Sequence, residues 1–521
     1  MYNKFLIILV YLFISSTCHA DQTFRRGNFD EPDTLDPQQA LAVSDTNILY
    51  DLYEGLMTYD NNGKLILGQA KSYTISNDKK LYTFKLHPDL KWSNGKKLTA
   101  YDFAQSIKRA IDPKIGSTNY FLLEPIKNSK NIYSGKQSIE ELGVKAIDEQ
   151  TIVIELERPT PYILDLLSSP TFAPVYLNKD GKVDSKVSNG PFNLQEWVVN
   201  SHISVTKNKN YSNANQVKLD KVIFYPINQQ SVELNRYRAG ELDYTNKVLF
   251  TELEWVKKNI PQELHSQPML ASYYYSFNVT KPPFKDNKYF RKALALAIDK
   301  NVIAQKILGG ARSGTENFVP QGINNYENLP SSAQYTDRQR IALAKKYFKL
   351  AGYDVNNVNK PLKVKLFFHT NEANRIIATA IASMWKKTLG VRTELINQEW
   401  KVFLRTRLDR NTTQIIREGW IAQYDDPLTF LSLFVSDNVQ NASGFSNEMY
   451  DNLIKRAENS ENLNSRIKLL NQAEQILLEE VPVVPIYTPE VYHLVKPYIK
   501  GFNVDNRDRT FDRYISKEGL E

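Results

Sequence analysis

The sequence predicts an α/β protein of more than one lobe, and three observations lead there. A chain of 521 residues exceeds what one hydrophobic core usually supports, so two or three lobes are expected. From Tyr273 to Ile421 strand-like and helix-like segments alternate as β-α-β-α-β, the rhythm of a lobe built on a mainly parallel sheet. From about Tyr53 to Tyr176 short alternating strands and tight turns prevail instead, which marks an inserted, mostly antiparallel lobe.

Taken in order, the segment from Gly27 begins as a strand, turns near Pro32 and gives way to an amphipathic helix that Gly55 stops. Tyr82–Leu86 alternates like a half-buried strand, and Ser93-Asn94-Gly95-Lys96 is a hairpin-type turn. Thr99 caps a helix reaching about Ala110, with Asp102 at the capping-box spacing. Strands at Val144–Ile147 and Thr151–Leu156 flank a turn, and a helix after Pro161 reaches Leu167. Asn189 opens a new sheet that continues through Ile203–Val205 and Val222–Tyr225. A helix from Ser231 ends at Gly240, and Glu241–Tyr244 resumes as a short strand. Tyr273–Asn278 is a strand, and Tyr289–Leu308 is one long amphipathic helix stopped by Gly309 and Gly310. Helices at Ile341–Leu350, Asn374–Leu389 and Trp400–Leu408 then alternate with strands at Leu362–His369 and Val391–Ile396. A helix from about Asn464 to Glu479 precedes the apolar run Val481–Tyr487 and a tail rich in Tyr, Asp and Arg.

The first twenty residues have the layout of an export signal: Lys4, an apolar core from Phe5 to Ile14, then Ser15 to Ala20. That core is too short to span a bilayer comfortably. Cleavage after Ala20 leaves no thiol and no disulfide, because Cys18 is the one cysteine. The alternative is lipidation of Cys18, although the preceding residues lack the leucine and small Gly or Ala of a lipoprotein signal. The formal charge of +8 is spread among interleaved acids and bases, with no dense basic run. A solvated surface follows, not a nucleic-acid interface.

The six histidines are scattered, with no H-E-x-x-H, no G-x-S-x-G and no phosphate loop, so neither catalysis, a metal nor a cofactor is expected. The stretch from Thr413 to Pro427 points elsewhere. A short apolar strand ends in Gly419-Trp420, bare backbone beside a flat ring, and then in Asp425 and Asp426. Exposed peptide groups beside an aromatic wall pair with another extended chain whatever its side chains are.

Several segments together resemble the periplasmic oligopeptide-binding proteins of bacterial ABC importers, an extracellular solute-binding family. Trp92-Ser93-Asn94-Gly95-Lys96-Lys97-Leu98-Thr99-Ala100-Tyr101-Asp102-Phe103 is similar to a signature of that family. Lys281-Pro282-Pro283-Phe284-Lys285-Asp286, followed by Arg291 to Leu294, fits a second. Asn189-Gly190-Pro191-Phe192 with Trp197, and Asn397 to Leu404, add to the likeness, which runs from about Gly27 to Arg513.

The resemblance implies a periplasmic binding protein-like (class II) flytrap with an extra inserted lobe. Residues 21–52, 177–275 and 488–521 would form lobe I, 53–176 lobe II and 276–487 lobe III, after a signal peptide at 1–20. A short peptide would lie between lobes I and III of an exported monomer and pass to an inner-membrane ABC permease, the lobes closing by a hinge. Gly419, Trp420, Ile421 and Ala422 would pair with the peptide backbone on one side and the segment at Val43 on the other. Arg407 and Arg417 would meet acidic groups or the peptide carboxylate; a structural ion pair is the other use for Arg417. Trp400, Trp420, Tyr274, Tyr275, Asn246 and Tyr487 would line side-chain compartments, with core packing the alternative for Trp400.

One position departs from the family. Where an aspartate clamps the ligand's ammonium, this chain has Gln423, which offers a hydrogen bond without charge and so about half the strength. Either Asp425 or Asp426 reaches back, or the ligand lacks an ordinary free amino end, as in a modified or cell-wall-derived peptide. Nickel complexes and sugars are also family ligands, and an enzyme or chaperone using the same cleft is the rival from another class.

Overall fold

A computed structural model describes residues 22–117, 119–309, 314–324, 326–327, 335–355, 362–460 and 462–519. The expected export signal, with Cys18, lies outside them. Among the described residues three sheets have four or more strands. In the first, Thr23–Gly27 runs parallel to Lys221–Tyr225, followed antiparallel by His202–Lys207 and Phe192–Val198. The second is the antiparallel sheet Ala70–Ile75, Leu81–Leu86, Thr151–Glu155 and Val144–Asp148. The third, in spatial order, is Arg392–Gln398, Lys363–His369, Ile415–Ile421, Ala271–Phe277 and Val483–Tyr487.

Local chemistry accounts for the helices that cover these sheets. The Asp102 carboxylate accepts from the Thr99 N–H at 2.7 Å and its hydroxyl at 2.8 Å, starting the helix Ala100–Ile111. Phe103, Ile107 and Ile111 on one side of it are fully buried. In the third sheet, Asn371 caps Glu372–Leu389 through the N–H groups of Ala373 and Asn374, and Gly390 ends it at φ 70°. Ile377, Ile381, Trp385 and Leu389 form its buried stripe. This helix joins Lys363–His369 to Arg392–Gln398 as parallel neighbours in register from Lys363↔Arg392 to His369↔Gln398.

Several expectations need correction. The third sheet is mixed: Ala271–Phe277 runs antiparallel to both its neighbours. A helical crossover imposes parallel direction only on the strands it joins, and Ala271–Phe277 precedes the crossovers. It also starts before the boundary expected at 276. The long helix from Tyr289 is two, Lys288–Ala297 and a wider-wound Val302–Ile307. Between them Asp299 Oδ1 accepts from the Val302 N–H at 2.9 Å and founds the second, a side-chain effect that periodicity does not register. Glu241–Tyr244 is no strand; Tyr244 alone bridges to Arg26 and Val495. The first strand spans Thr23–Gly27 and so ends where the expected one begins. From Asn28 the chain is irregular, its course fixed by a side chain: the Asn28 amide donates to the Ser44 carbonyl at 2.9 Å.

The apolar cores set where a cleft can form. Phe24, Ile48, Leu52, Phe192, Val205 and Phe224 close the core under the first sheet. The inserted segment and the third sheet share one continuous cluster, from Phe103 and Ile107 through to Tyr274, Trp420 and Phe434. Across that contact Tyr162 stacks on Tyr424 with ring centroids 4.2 Å apart, and Arg158 pairs with Glu458 at 2.8 Å. The strand Ile415–Ile421 therefore lies against the inserted segment.

Candidate functional site

Two main-chain bonds fix the phase of the Ile415–Ile421 strand. The Ala422 N–H donates to Leu270 O and the Asn278 N–H to Gln414 O, each at 2.8 Å. Peptide groups alternate sides along an antiparallel ladder, so Ile416, Glu418 and Trp420 turn theirs toward Ala271–Phe277. Ile415, Arg417, Gly419 and Ile421 turn theirs to the other flank. There Lys363–His369 pairs only at Ile415 and Ile416. Beyond that point the flank at Arg417, Gly419 and Ile421 has no strand beside it among the described residues.

Side chains alternate faces in the same way. On one face Arg407 Nη1 donates to Glu418 Oε1 at 2.9 Å, and Ser276 Oγ donates to the other carboxylate oxygen at 2.5 Å. Gln440 Oε1 accepts from the second Arg407 nitrogen. Arg407 is thus engaged in a buried ion pair with an acidic group of the protein itself. Arg417, for which an ion pair was the alternative, makes none among the described residues. Its guanidinium lies 4.3 Å over the Tyr273 ring, and its buried Nε has no hydrogen-bond partner.

Two further basic groups gather near Arg417. Burial lowers the Lys247 amine below its usual range, Asp508 opposes this, and Arg417 adds to it. Burial holds His369 well below the usual imidazole range, helped by the charges of Arg417 and Lys247. Arg417 and Lys247 repel one another and make no ion pair among the described residues, so with the His369 imidazole beside them they form a place for an anion. Lys247 and His369 sit on other segments, and nothing in their sequence neighbourhoods singles them out.

Tyr487 stacks on Tyr273 at 4.8 Å behind Arg417, and His369 meets Trp400 edge to face at 4.9 Å. The indole N–H groups of Trp400 and Trp420 and the Asn246 side-chain amide are buried without partners among the described residues, so three expected compartment residues carry unspent donors. Tyr274 and Tyr275 point to opposite faces, as strand alternation requires. Tyr275 is packed among Phe277, Ile415 and Val484, and Tyr274 meets Phe318 at 4.9 Å.

At the far end of the strand a cavity is lined by Val43, Thr46, Ile421, Ala422, Gln423 and Arg507 to Arg509, with Asn119 and Thr171 from the inserted segment. Val43 is the first residue of the helix Val43–Leu52, and Ala42 just before it is extended, at φ −78° and ψ 153°. The helix begins there because the Asp45 carboxylate accepts from the Ala42 N–H at 3.2 Å and the Asp33 N–H at 2.9 Å. Gln423 Nε2 donates to its own strand at Ile421 O, 3.3 Å away, and Arg507 donates to the Gln423 carbonyl. Neither neighbouring aspartate lines this cavity. Asp426 is held by both terminal nitrogens of Arg466 at 2.7 and 2.8 Å, and Asp425 accepts from the Asn324 N–H at 2.9 Å.

Comparison with known proteins places this geometry in a family. The model for bacterial extracellular solute-binding proteins, family 5 Middle, matches residues 64–442. The periplasmic murein peptide-binding protein MppA of Escherichia coli is 36% identical, with 94% of this chain and 92% of that protein covered. The probable deoxycholate-binding periplasmic protein YgiS of the same organism is 36% identical over 99% of both chains. Haemophilus influenzae OppA in complex with RPPGFSPFR superposes with a TM-score of 0.90 at 33% identity, covering 96% of this chain and 99% of that one. The unliganded open form of MppA gives only 0.69 at 35% identity, covering 96% and 98%, so the overall arrangement here is nearer that of the complex. The chain belongs to the family 5 bacterial extracellular solute-binding proteins.

Proposed function

We propose that this protein is the periplasmic capture component of an ABC importer, and that its cargo is a short peptide held by its main chain. One observation carries the proposal: the unpaired flank at Arg417, Gly419 and Ile421 ends beside Arg417, Lys247 and His369. A guest strand would fill the flank with main-chain bonds worth about 0.5–1.5 kcal/mol each and set its carboxylate among the three bases. Main-chain bonds ignore side-chain identity, so wide sequence tolerance with a length preference is expected. The protein would act as an exported monomer, and a bound peptide would be recovered uncleaved. Calorimetry with mixed di- to pentapeptides is expected to show binding; silence across the whole set would overturn the proposal, and heat from deoxycholate alone would move the cargo to an amphiphilic acid.

A cell-wall-derived peptide is the second candidate, favoured by the uncharged Gln423 at the cavity end. Tight binding of a murein tripeptide with weak binding of trialanine would single it out.

A further inference from the structure

We propose that Asp508 receives the ammonium group of the cargo, in the role that Gln423 cannot fill. Asp508 can do so only if the cargo is a peptide along the open flank, as proposed above. With its carboxylate at Arg417, such a peptide has its amino end in the cavity lined by Ile421, Ala422 and Gln423. Asp425 does not line that cavity, and the other carboxylates near that end are engaged. Asp165 is gripped by Arg507, the closest approach being 2.9 Å, and Asp505 by Arg509 at 2.8 Å through Nε. Asp426 belongs to Arg466, and Asp45 to the helix start.

Among the described residues Asp508 is the one carboxylate that lines the cavity. His493, itself fully buried, holds Oδ1 at 2.8 Å, and no other hydrogen bond to this carboxylate occurs among the described residues. The imidazole is fixed in turn through Nδ1, 3.2 Å from the Thr245 carbonyl and 3.0 Å from the Tyr244 hydroxyl. The loop is equally set. Asp505 Oδ1 accepts from the N–H groups of Arg507 and Arg509, and Asp508 adopts φ 61°, a left-handed conformation that aspartate tolerates better than most residues. One oxygen held from behind and one left for the cavity suit an incoming ammonium, which forms a charge-assisted bond without rearranging its acceptor.

The test is calorimetry on the mature protein with trialanine, N-acetyl-trialanine and lactoyl-dialanine, in which a hydroxyl replaces the ammonium without added bulk. The wild type is expected to prefer trialanine at least tenfold over both analogues. Asp508→Asn is expected to abolish that preference while leaving N-acetyl-trialanine affinity within about twofold, so the analogue reports the integrity of the cleft. Adding Gln423→Asp to that variant is expected to restore the preference. Should Asp508→Asn not fold, Asp508→Ser is read in its place. Equal binding of all three ligands by the wild type, or a preference that survives loss of Asp508, would overturn the assignment. Absence of binding by any of them would instead sink peptide capture itself.

Discussion

The two faces of the Ile415–Ile421 strand treat arginine in opposite ways. On one, Arg407 spends its charge on Glu418, with Ser276 and Gln440 completing the set. On the other, Arg417 rests on Tyr273 with a buried Nε unpartnered and Lys247 and His369 nearby. A satisfied buried charge keeps a fold together; an unsatisfied one costs stability and is kept where something else completes it.

The harshest way to break this contrast is Glu418→Ala. It strands the Arg407 guanidinium, a loss of about 3–5 kcal/mol for a buried pair, and urea denaturation is expected to show it. A change below about 1 kcal/mol would mean that Arg407 has another partner and the two faces are alike.

A smaller effect comes from behind the cleft, where Glu233 Oε1 accepts from the Asn246 N–H at 2.7 Å. Burial pushes this carboxyl up to about 8, against weaker opposition from the N–H groups of Asn246 and Lys247 and from Arg26 and Arg236. The folded state thus holds the proton more tightly than the unfolded chain, whose carboxyl titrates near 4.5. Its stabilising contribution is complete below about pH 4.5 and is lost as pH rises through about 8, on the order of a few kcal/mol. Glu233→Gln is expected to flatten this part of the stability profile between about pH 5 and 9. An unchanged slope would show that the carboxylate is already charged.

Arg417→Met is the converse of the Glu418 change. Peptide affinity is expected to fall roughly a hundredfold, the worth of a hydrogen bond to a charged group. Stability should hold or rise, since an uncompensated charge leaves the interior. Loss of stability with affinity unchanged would exchange the roles of the two arginines.

What the chain discloses locally it discloses well. Thr99 and Asp102 announce their helix because capping needs only neighbours in sequence. Gly419, Trp420 and Arg417 announce the strand for the same reason. Direction within a sheet is not local, so the reversed Ala271–Phe277 strand was hidden. Nor is charge pairing: Glu418 adjoins Arg417 in sequence, yet alternation turns it to the other face, toward Arg407. That parity was available and would have separated the two arginines. Lys247, His369 and Asp508 belong to segments that only the folded chain brings together, and their residue types are unremarkable until burial withdraws their usual partners.

The gentlest test separates flank from face at Gly419. A Cβ built there would lie 3.5 Å from an Arg417 nitrogen and from Ser272 O, ordinary contact, so the fold itself does not demand glycine. Gly419→Val is expected to leave stability within about 0.5 kcal/mol, valine being the better strand residue. A guest lying along the flank would meet the new methyl groups beside Arg417, which would also have to shift. Peptide affinity is therefore expected to drop about tenfold, or about 1.4 kcal/mol. If affinity survives, the guest does not run past Gly419, and the anion site at Arg417 would have to act on a cargo that approaches from elsewhere.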